Sequence, residues 1–249
     1  MNAAADPVRD MDHTYLGGRP KSIFYVLSGP GGTGKSTLIQ RWRKQDPSLG
    51  YVRNYTTRAR RPADTASGVD DSDWYNFVTT QQFQQLVRED CLVQWSHAVK
   101  GYLSGTPLAP LHEAIAAGRD LVFDYTPQLY LNLRTMFRSN TVGIFIVPPN
   151  MAELAKRLRG RDSENDERFR LKMAMGRQDL AFAMEHDYLV VNDDLDETLE
   201  TLKGIRLAER AKITNLYGVD ETYQRLSTRP MLFYYDPFGQ RIDDIHEDS

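Results

Sequence analysis

Short, uninterrupted apolar runs recur along the chain, and each is followed by a stretch with helical spacing. Ile23–Leu27 (IFYVL) is apolar at every position, the pattern of a strand buried on both faces. Leu121–Phe123, closed by Asp124, and Thr141–Val147 (TVGIFIV), closed by Pro148 and Pro149, repeat it, and Asp187–Val191 (DYLVV) is the last of the set. Between them, Leu108, Leu111 and Ile115 share one helical face, with Gly118 placed to stop the helix. Asn150, with Glu153 three residues on, predicts a cap for a helix that buries Leu154 and Leu158. Asp194 is placed to cap another, carrying Leu195, Leu199, Leu202 and Ile205. Such alternation predicts an α/β fold, with helices on both faces of a parallel sheet.

The pattern changes between Gly50 and Gly105. Strand-like pieces at Tyr51–Thr57, Trp74–Thr79 and Leu92–Val99 flank a helix around Gln81–Arg88, whose Phe83, Leu86 and Val87 point inward. This reads as a small α+β insertion between the first and second core strands. Residues 1–20 are expected to be a disordered leader, and 212–249 an extension in which Met231–Tyr235 reads as a strand and Asp236–Gly239 as a turn.

Composition narrows the class without naming a chemistry. The chain has 249 residues, 41% apolar and 26% charged, with a formal charge of -3, so it lacks the global basic field of a nucleic-acid binder. Its one cysteine, Cys91, cannot form an internal disulfide, and the five histidines fall in no metal-binding spacing. No apolar stretch is long enough to span a membrane. The leader carries Asp6, Asp10 and Asp12 and lacks an apolar signal-peptide core. The expected setting is cytoplasmic, with neither membrane nor nucleic acid as partner.

The glycine loop after the first strand supplies the chemistry. Gly29-x4-Gly34-Lys35-Ser36 is a full Walker A pattern. Gly29, Gly31, Gly32 and Gly34, with Thr33, let main-chain N–H groups turn inward around phosphate oxygens, and the helix that starts at Lys35, Ser36 and Thr37 aims its positive end at them. Lys35 is placed to reach the terminal phosphates and Ser36 to ligate Mg²⁺. A glycine-rich turn with a chance lysine leaves the flanking strand and helix unexplained. The loop alone fits GTPases and other ATPases too, but the chain has no NKxD-type base reader. Arg58 and Arg61, a short strand beyond the first helix, are spaced to converge on one phosphate as planar forks, although an arbitrary arginine run is more often a solvated patch.

With these motifs the chain resembles the guanylate kinase family from about Ile23 to Arg210. The pieces are GPGGTGKSTL at 29–38, TTRARRP at 56–62, WYNFV at 74–78, GTP at 105–107, VPPNMAELAKRLRGR at 147–161 and YLVVNDDLD at 188–196. The resemblance implies a P-loop NTPase core of three layers (21–49 and 107–211), an acceptor-binding subdomain (50–106) and a lid around 161–172. It assigns Arg58, Arg61 and Tyr75 to the acceptor's phosphate, Arg157 and Arg161 to the donor phosphates, and Asn192 to the adenine. By the same resemblance Asn54, Gln94, Tyr102, Thr106 and Asp124 face the acceptor.

Several of these positions depart from the family pattern. Gln94 stands where the family places a glutamate that reads guanine. An amide can take guanine N1–H and O6, or equally N1 and N6–H₂ of adenine, and exchanging charged for neutral hydrogen bonds costs about tenfold in discrimination. Asn54 replaces a serine. The loop 101–106 is one residue longer than the family's, leaving Tyr102 or Ser104 to replace a missing phenol. The second carboxylate of an Asp-x-Asp pair is Thr126, and a later lid arginine aligns with Lys172. The expected activity is ATP-dependent phosphoryl transfer to a nucleoside monophosphate, GMP or dGMP first, by a monomer or homodimer using ATP and Mg²⁺. The alternatives are a different phosphorylated acceptor, such as a modified nucleotide or ribose bisphosphate, and a non-catalytic interaction module of the same fold.

Overall fold

The computed structural model describes residues 19–60, 74–97, 101–161 and 166–217. Arg61, the acidic stretch 63–73, the lid residues 162–165, most of the leader, and the extension beyond 217 with its expected strand and turn lie outside the described residues.

Strand β1 (Phe24–Ser28) leads through the glycine loop into α1 (Lys35–Gln45), and β2 (Gly50–Tyr51) follows. After the insertion come α3 (Ala109–Ala117), β7 (Leu121–Asp124), α4 (Pro127–Met136), β8 (Thr141–Val147), α5 (Met151–Arg161), α6 (Asp166–Leu180), β9 (Tyr188–Val191) and α7 (Leu195–Ala211). The core sheet is parallel throughout, in the order β9-β8-β1-β7-β2. Its central strand β1 is wholly buried, because both sheet faces are covered. One face packs Tyr25, Leu27 and Ile144 with Leu38, Trp42, Leu199 and Leu202; the other packs Phe24, Val26 and Phe123 with Leu111, Tyr130 and Leu133.

The expected caps are present. Asn150 Oδ1 accepts from Glu153 N (2.8 Å), and Asp194 Oδ1 from Asp196 N (2.8 Å) and Glu197 N (2.9 Å). Gly118 ends α3 at φ 64°, where a glycine relieves the strain of a left-handed residue. Helix α4 had no counterpart in the periodicity reading. Its start is marked by Thr126, whose hydroxyl caps Leu129 N at 3.5 Å, and by Pro127 in the first turn. Thr126, which stands where the family pattern has a carboxylate, is thus a helix cap.

The insertion forms a second, four-stranded sheet from β3 (Asn54–Thr56), β4 (Tyr75–Phe77), β5 (Leu92–His97) and β6 (Leu103–Pro107), in the order β4-β3-β6-β5. Helix α2 (Thr80–Arg88) begins in a full capping box between Thr79 and Gln82 and buries Phe83, while Leu86 and Val87 are half-buried. The strand expected over Tyr51–Thr57 is two strands. Gly50 and Tyr51 pair with Leu121 and Val122 in the core sheet, whereas Asn54–Thr56 pair with Tyr75–Phe77. The chain therefore changes sheets at Val52 and Arg53.

At the end of the core remote from the glycine loop, Asp120 (1% exposed) accepts from Arg206 Nε (2.9 Å), Arg210 Nη1 (2.8 Å) and Ile23 N (3.0 Å), and Arg206 also bonds Asp46. This buried ion cluster ties α7 to β1, α1 and β7. Among the described residues, no helix is long and apolar enough to cross a membrane.

Candidate active site

Three glycines of the loop are required by its geometry. Gly29, Gly32 and Gly34 have φ of 124°, 89° and 92°, values that strain residues with a side chain. A Cβ on Gly29 would lie 2.3 Å from Ile146 O, one on Gly32 2.8 Å from Leu158 Cδ2, and one on Gly34 2.5 Å from Asn192 Nδ2. Gly31 has nothing within 4 Å of such an atom. Thr33 Oγ1 closes the turn on Pro30 O at 3.0 Å. Lys35 Nζ folds back over the loop, donating to Gly29 O (2.8 Å) and Pro30 O (2.9 Å), so it lies across the concavity that the loop encloses. Thr37, half-buried, is in the first turn of α1.

Ser36 Oγ donates to Asp124 Oδ2 at 2.6 Å. The sequence placed Asp124 with the acceptor; the structure places its carboxylate on the loop serine, because β7 ends alongside β1. Ser36 and Asp124 are hard oxygen donors of the kind Mg²⁺ takes, with phosphates and water completing the shell. No group of three or more His, Cys, Asp or Glu side chains able to hold a metal occurs among the described residues.

Asn192 requires a correction. It was expected to meet adenine, but it is 2% exposed and its amide is committed to the protein: Nδ2 donates to Thr33 O at 2.7 Å, and Oδ1 accepts from Thr198 Oγ1 at 3.2 Å. Its role is to brace the loop from β9. Arg157, beside it, donates from Nη1 to Asn192 O (3.0 Å) and from Nε to Glu153 Oε1 (2.8 Å), which holds the Glu153 carboxyl below its usual range. The guanidinium therefore stands next to the loop, anchored to its brace. Arg161 closes α5, and its side chain is outside the described set. Helix α6 passes over the loop, close enough at Gly176 that a Cβ there would meet Leu154 Cδ2 at 3.4 Å and Pro30 Cβ at 3.5 Å. Asp179, one turn on, was not singled out by sequence; burial raises its carboxyl while the charge of Lys35 opposes the rise.

On the insertion side, Arg58 lies over the rings of Tyr75 (5.3 Å) and Phe77 (5.8 Å), a stacked arrangement that fixes the plane of the guanidinium. Asn54, Gln94 and Thr106 converge although they come from three strands. Gln94 and Thr106 are register partners on β5 and β6, and Thr106 Oγ1 donates to Asn54 Oδ1 at 3.0 Å. Gln94, 8% exposed, donates from Nε2 to Leu129 O (3.2 Å), and its Oε1 is buried without a partner. The amide expected to offer both a donor and an acceptor to the base thus has one N–H on a main-chain carbonyl and its oxygen without a partner.

The expected phenol does not come from the 101–106 loop. Tyr102 is half-buried before β6, and among the described residues no hydrogen bond ties it to Asn54, Gln94 or Thr106. Ser104 pairs through its main chain with Thr56 and Ser96. Instead Tyr125, from the end of β7, brings its hydroxyl to 2.5 Å from Thr106 Oγ1. Burial pushes that phenol far up, and its hydrogen bond with Thr106 opposes the shift. Sequence reading missed Tyr125; the signal available was its place directly after Asp124 at the end of a core strand. Tyr51 is raised likewise, by burial first and then by the nearby Asp124 carboxylate.

The guanylate kinase family model matches residues 21–209. A guanylate kinase of Rhizobium johnstonii is 34% identical over 206 residues, covering 83% of this chain and 91% of the relative. One of Bradyrhizobium diazoefficiens is 37% identical over 199 residues, 80% and 88% of the two chains. Among solved structures, the guanylate kinase of Anaplasma phagocytophilum superposes with a TM-score of 0.65 at 25% identity, over 85% of this chain and 97% of that one.

Proposed function

The chain belongs to the guanylate kinase family and is an ATP-dependent phosphotransferase, and from that premise we propose that it transfers the γ-phosphoryl group of ATP to the 5′-phosphate of GMP or dGMP, giving ADP and GDP or dGDP. The observation that carries the reading is the pair Asp124–Tyr125: neighbouring residues at the end of β7 that bond the phosphate loop on one side and the insertion wall on the other. Two ligands seated on those sides meet above the end of one core strand.

In this reading the loop amides and Lys35 hold the donor phosphates. Lys35 exchanges its bonds to Gly29 O and Pro30 O for phosphate oxygens. Ser36 and Asp124 would hold Mg²⁺, which when bound would neutralise phosphate charge. Arg58, stiffened on Tyr75, orients the acceptor phosphate, and Arg157 supplies positive charge beside the loop. An acceptor phosphate oxygen is already a nucleophile, so no general base is required; rate comes from positioning and from charge set in place beforehand. The proposed division is a core of 21–49 and 107–211, an acceptor-binding subdomain of 50–106 and a lid around 161–172. The relatives lend no support to a phosphosugar acceptor, and the intact glycine loop argues against a non-catalytic module.

The test is ADP release, coupled to a spectrophotometric assay, with GMP, dGMP, AMP, CMP, UMP and ribose phosphates as acceptors. GMP and dGMP are expected to be turned over most efficiently. Preference for a pyrimidine nucleotide or a ribose phosphate would refute the assignment.

A further inference from the structure

The wall formed by Gln94, Tyr125, Thr106 and Asn54 has directional hydrogen bonds: a main-chain carbonyl pins the Gln94 amide, and Tyr125, Thr106 and Asn54 are bonded in a row. Leu129 O can only accept, so the Gln94 atom 3.2 Å from it is the amide nitrogen. That contact fixes the amide and leaves Oε1 as its free end. Thr106, with a single proton, gives it to Asn54 Oδ1, so in its contact with Tyr125 the phenol is the donor. The polarity ends in a second fixed amide: Asn54 keeps Nδ2 as its spare donor. The wall thus offers one acceptor at Gln94 and one donor at Asn54, in a set order.

We propose that this fixed polarity makes the chain a kinase of 6-oxopurine nucleoside 5′-monophosphates, strict at the N1–O6 edge and lax at the 2-amino group, so that it accepts the hypoxanthine nucleotide beside the guanine one. This rests on reading the wall as the acceptor site. A 6-oxopurine presents N1–H to Oε1 and O6 to Nδ2. Adenine in the same pose sets its N1 lone pair against Oε1 and its N6–H₂ against Nδ2, two repulsive contacts. The guanine 2-amino group, which a glutamate would meet with a second charged oxygen, finds no second oxygen here, because the other terminal atom of Gln94 faces Leu129. Oε1 is closed to water in the unliganded protein, so an incoming base must displace the side chains covering it, and N1–H is a donor of the chemistry this orphaned carbonyl needs. Tyr125 and Leu129 act as positioning residues.

The experiment uses the full chain with ATP and Mg²⁺, and GMP, IMP and AMP as acceptors. The kcat/KM for IMP is expected within about tenfold of that for GMP, and that for AMP at least about a hundredfold below it. A wider gap for IMP, or a narrower one for AMP, overturns the proposal. Asn54→Asp removes the spare donor; KM for GMP should rise at least about tenfold without loss of AMP turnover, and an unchanged KM overturns the polarity. If the wild type phosphorylates none of the three, the acceptor reading itself fails.

The fixed amide is then judged without substrate, from melting of Gln94→Glu. A buried acid facing Leu129 O keeps its proton, so its folded pKa lies above the unfolded value and its destabilisation grows as pH rises. The titratable groups nearest position 94 are Tyr125, held neutral by burial, and Asp124, which is next to it in the chain and bonded by Ser36. The melting deficit of the variant against the wild type should open above about pH 4.3 and widen by at least about 3 °C between about pH 5.5 and about pH 8.5. A gap that does not change with pH overturns the assignment of Nε2 to Leu129.

Discussion

The hydroxyl of Ser36 donates to the carboxylate of Asp124 across 2.6 Å, joining the first turn of α1 to the end of β7. The two residues are 88 positions apart, and the parallel pairing of β1 with β7 is what brings them together. If they share a divalent cation in the working enzyme, Asp124→Asn should raise the Mg²⁺ concentration needed for half-maximal turnover by about tenfold to a hundredfold, the range seen when metal-site oxygens are weakened. Titrating Mg²⁺ at saturating ATP checks this; an unshifted midpoint would assign the carboxylate elsewhere.

Lys35→Ala removes the side-chain cation that folds back over the loop. Turnover is expected to fall by at least about a hundredfold, the scale for losing a group aimed at developing charge. The melting temperature should stay close to that of the wild type, since the bonds of Lys35 to Gly29 O and Pro30 O are local to the loop that precedes its own helix. Turnover and melting measured on one preparation test both halves.

The loop glycines should not behave alike. Gly34→Ala puts a methyl group 2.5 Å from Asn192 Nδ2 and forces φ 92° on a residue with a side chain, with a cost of about 1–3 kcal/mol and a disturbed brace to Thr33. Gly31→Ala meets open space, so stability should hold. Chemical denaturation of the two variants side by side gives the comparison, and equal losses would contradict the geometry.

Asp120→Ala removes the carboxylate that Arg206 and Arg210 share at the buried end of the core, leaving Arg206 to Asp46. A loss of about 3–5 kcal/mol is expected, because breaking a buried pair strands the remaining charge. Urea denaturation measures it, and a loss below about 1 kcal/mol would place the cluster among weak surface pairs.

His186 stacks on Tyr130 at 4.1 Å, and its Nε2 is buried without a partner. Burial lowers its pKa below the usual histidine value, against the hydrogen bond to Phe182 O. Because the folded pKa lies below the unfolded one, the neutral ring stabilises the fold above about pH 6.5, and that contribution fades as pH falls through the folded pKa. Melting temperature followed downward from about pH 7.5 should drop, and His186→Phe should flatten the profile over this window.

The sequence alone determined the α/β class, the alternation of buried strands and capped helices, the phosphate loop, and the family to which all of it belongs. These are local signals: an apolar run, a cap, or a glycine spacing is dictated by neighbours a few positions away. Tertiary structure decided what each polar side chain does once folded. Asn192 braces the loop because β9 ends beside Thr33, and Asp124 sits on Ser36 because β7 lies next to β1. Tyr125, from the core, brings a phenol to Thr106 where the sequence pointed to Tyr102 or Ser104, and Leu129 O, from a helix the periodicity did not reveal, turns the Gln94 amide one way. A hydrogen bond depends on where two distant stretches end in space, and no pattern along the chain carries that information.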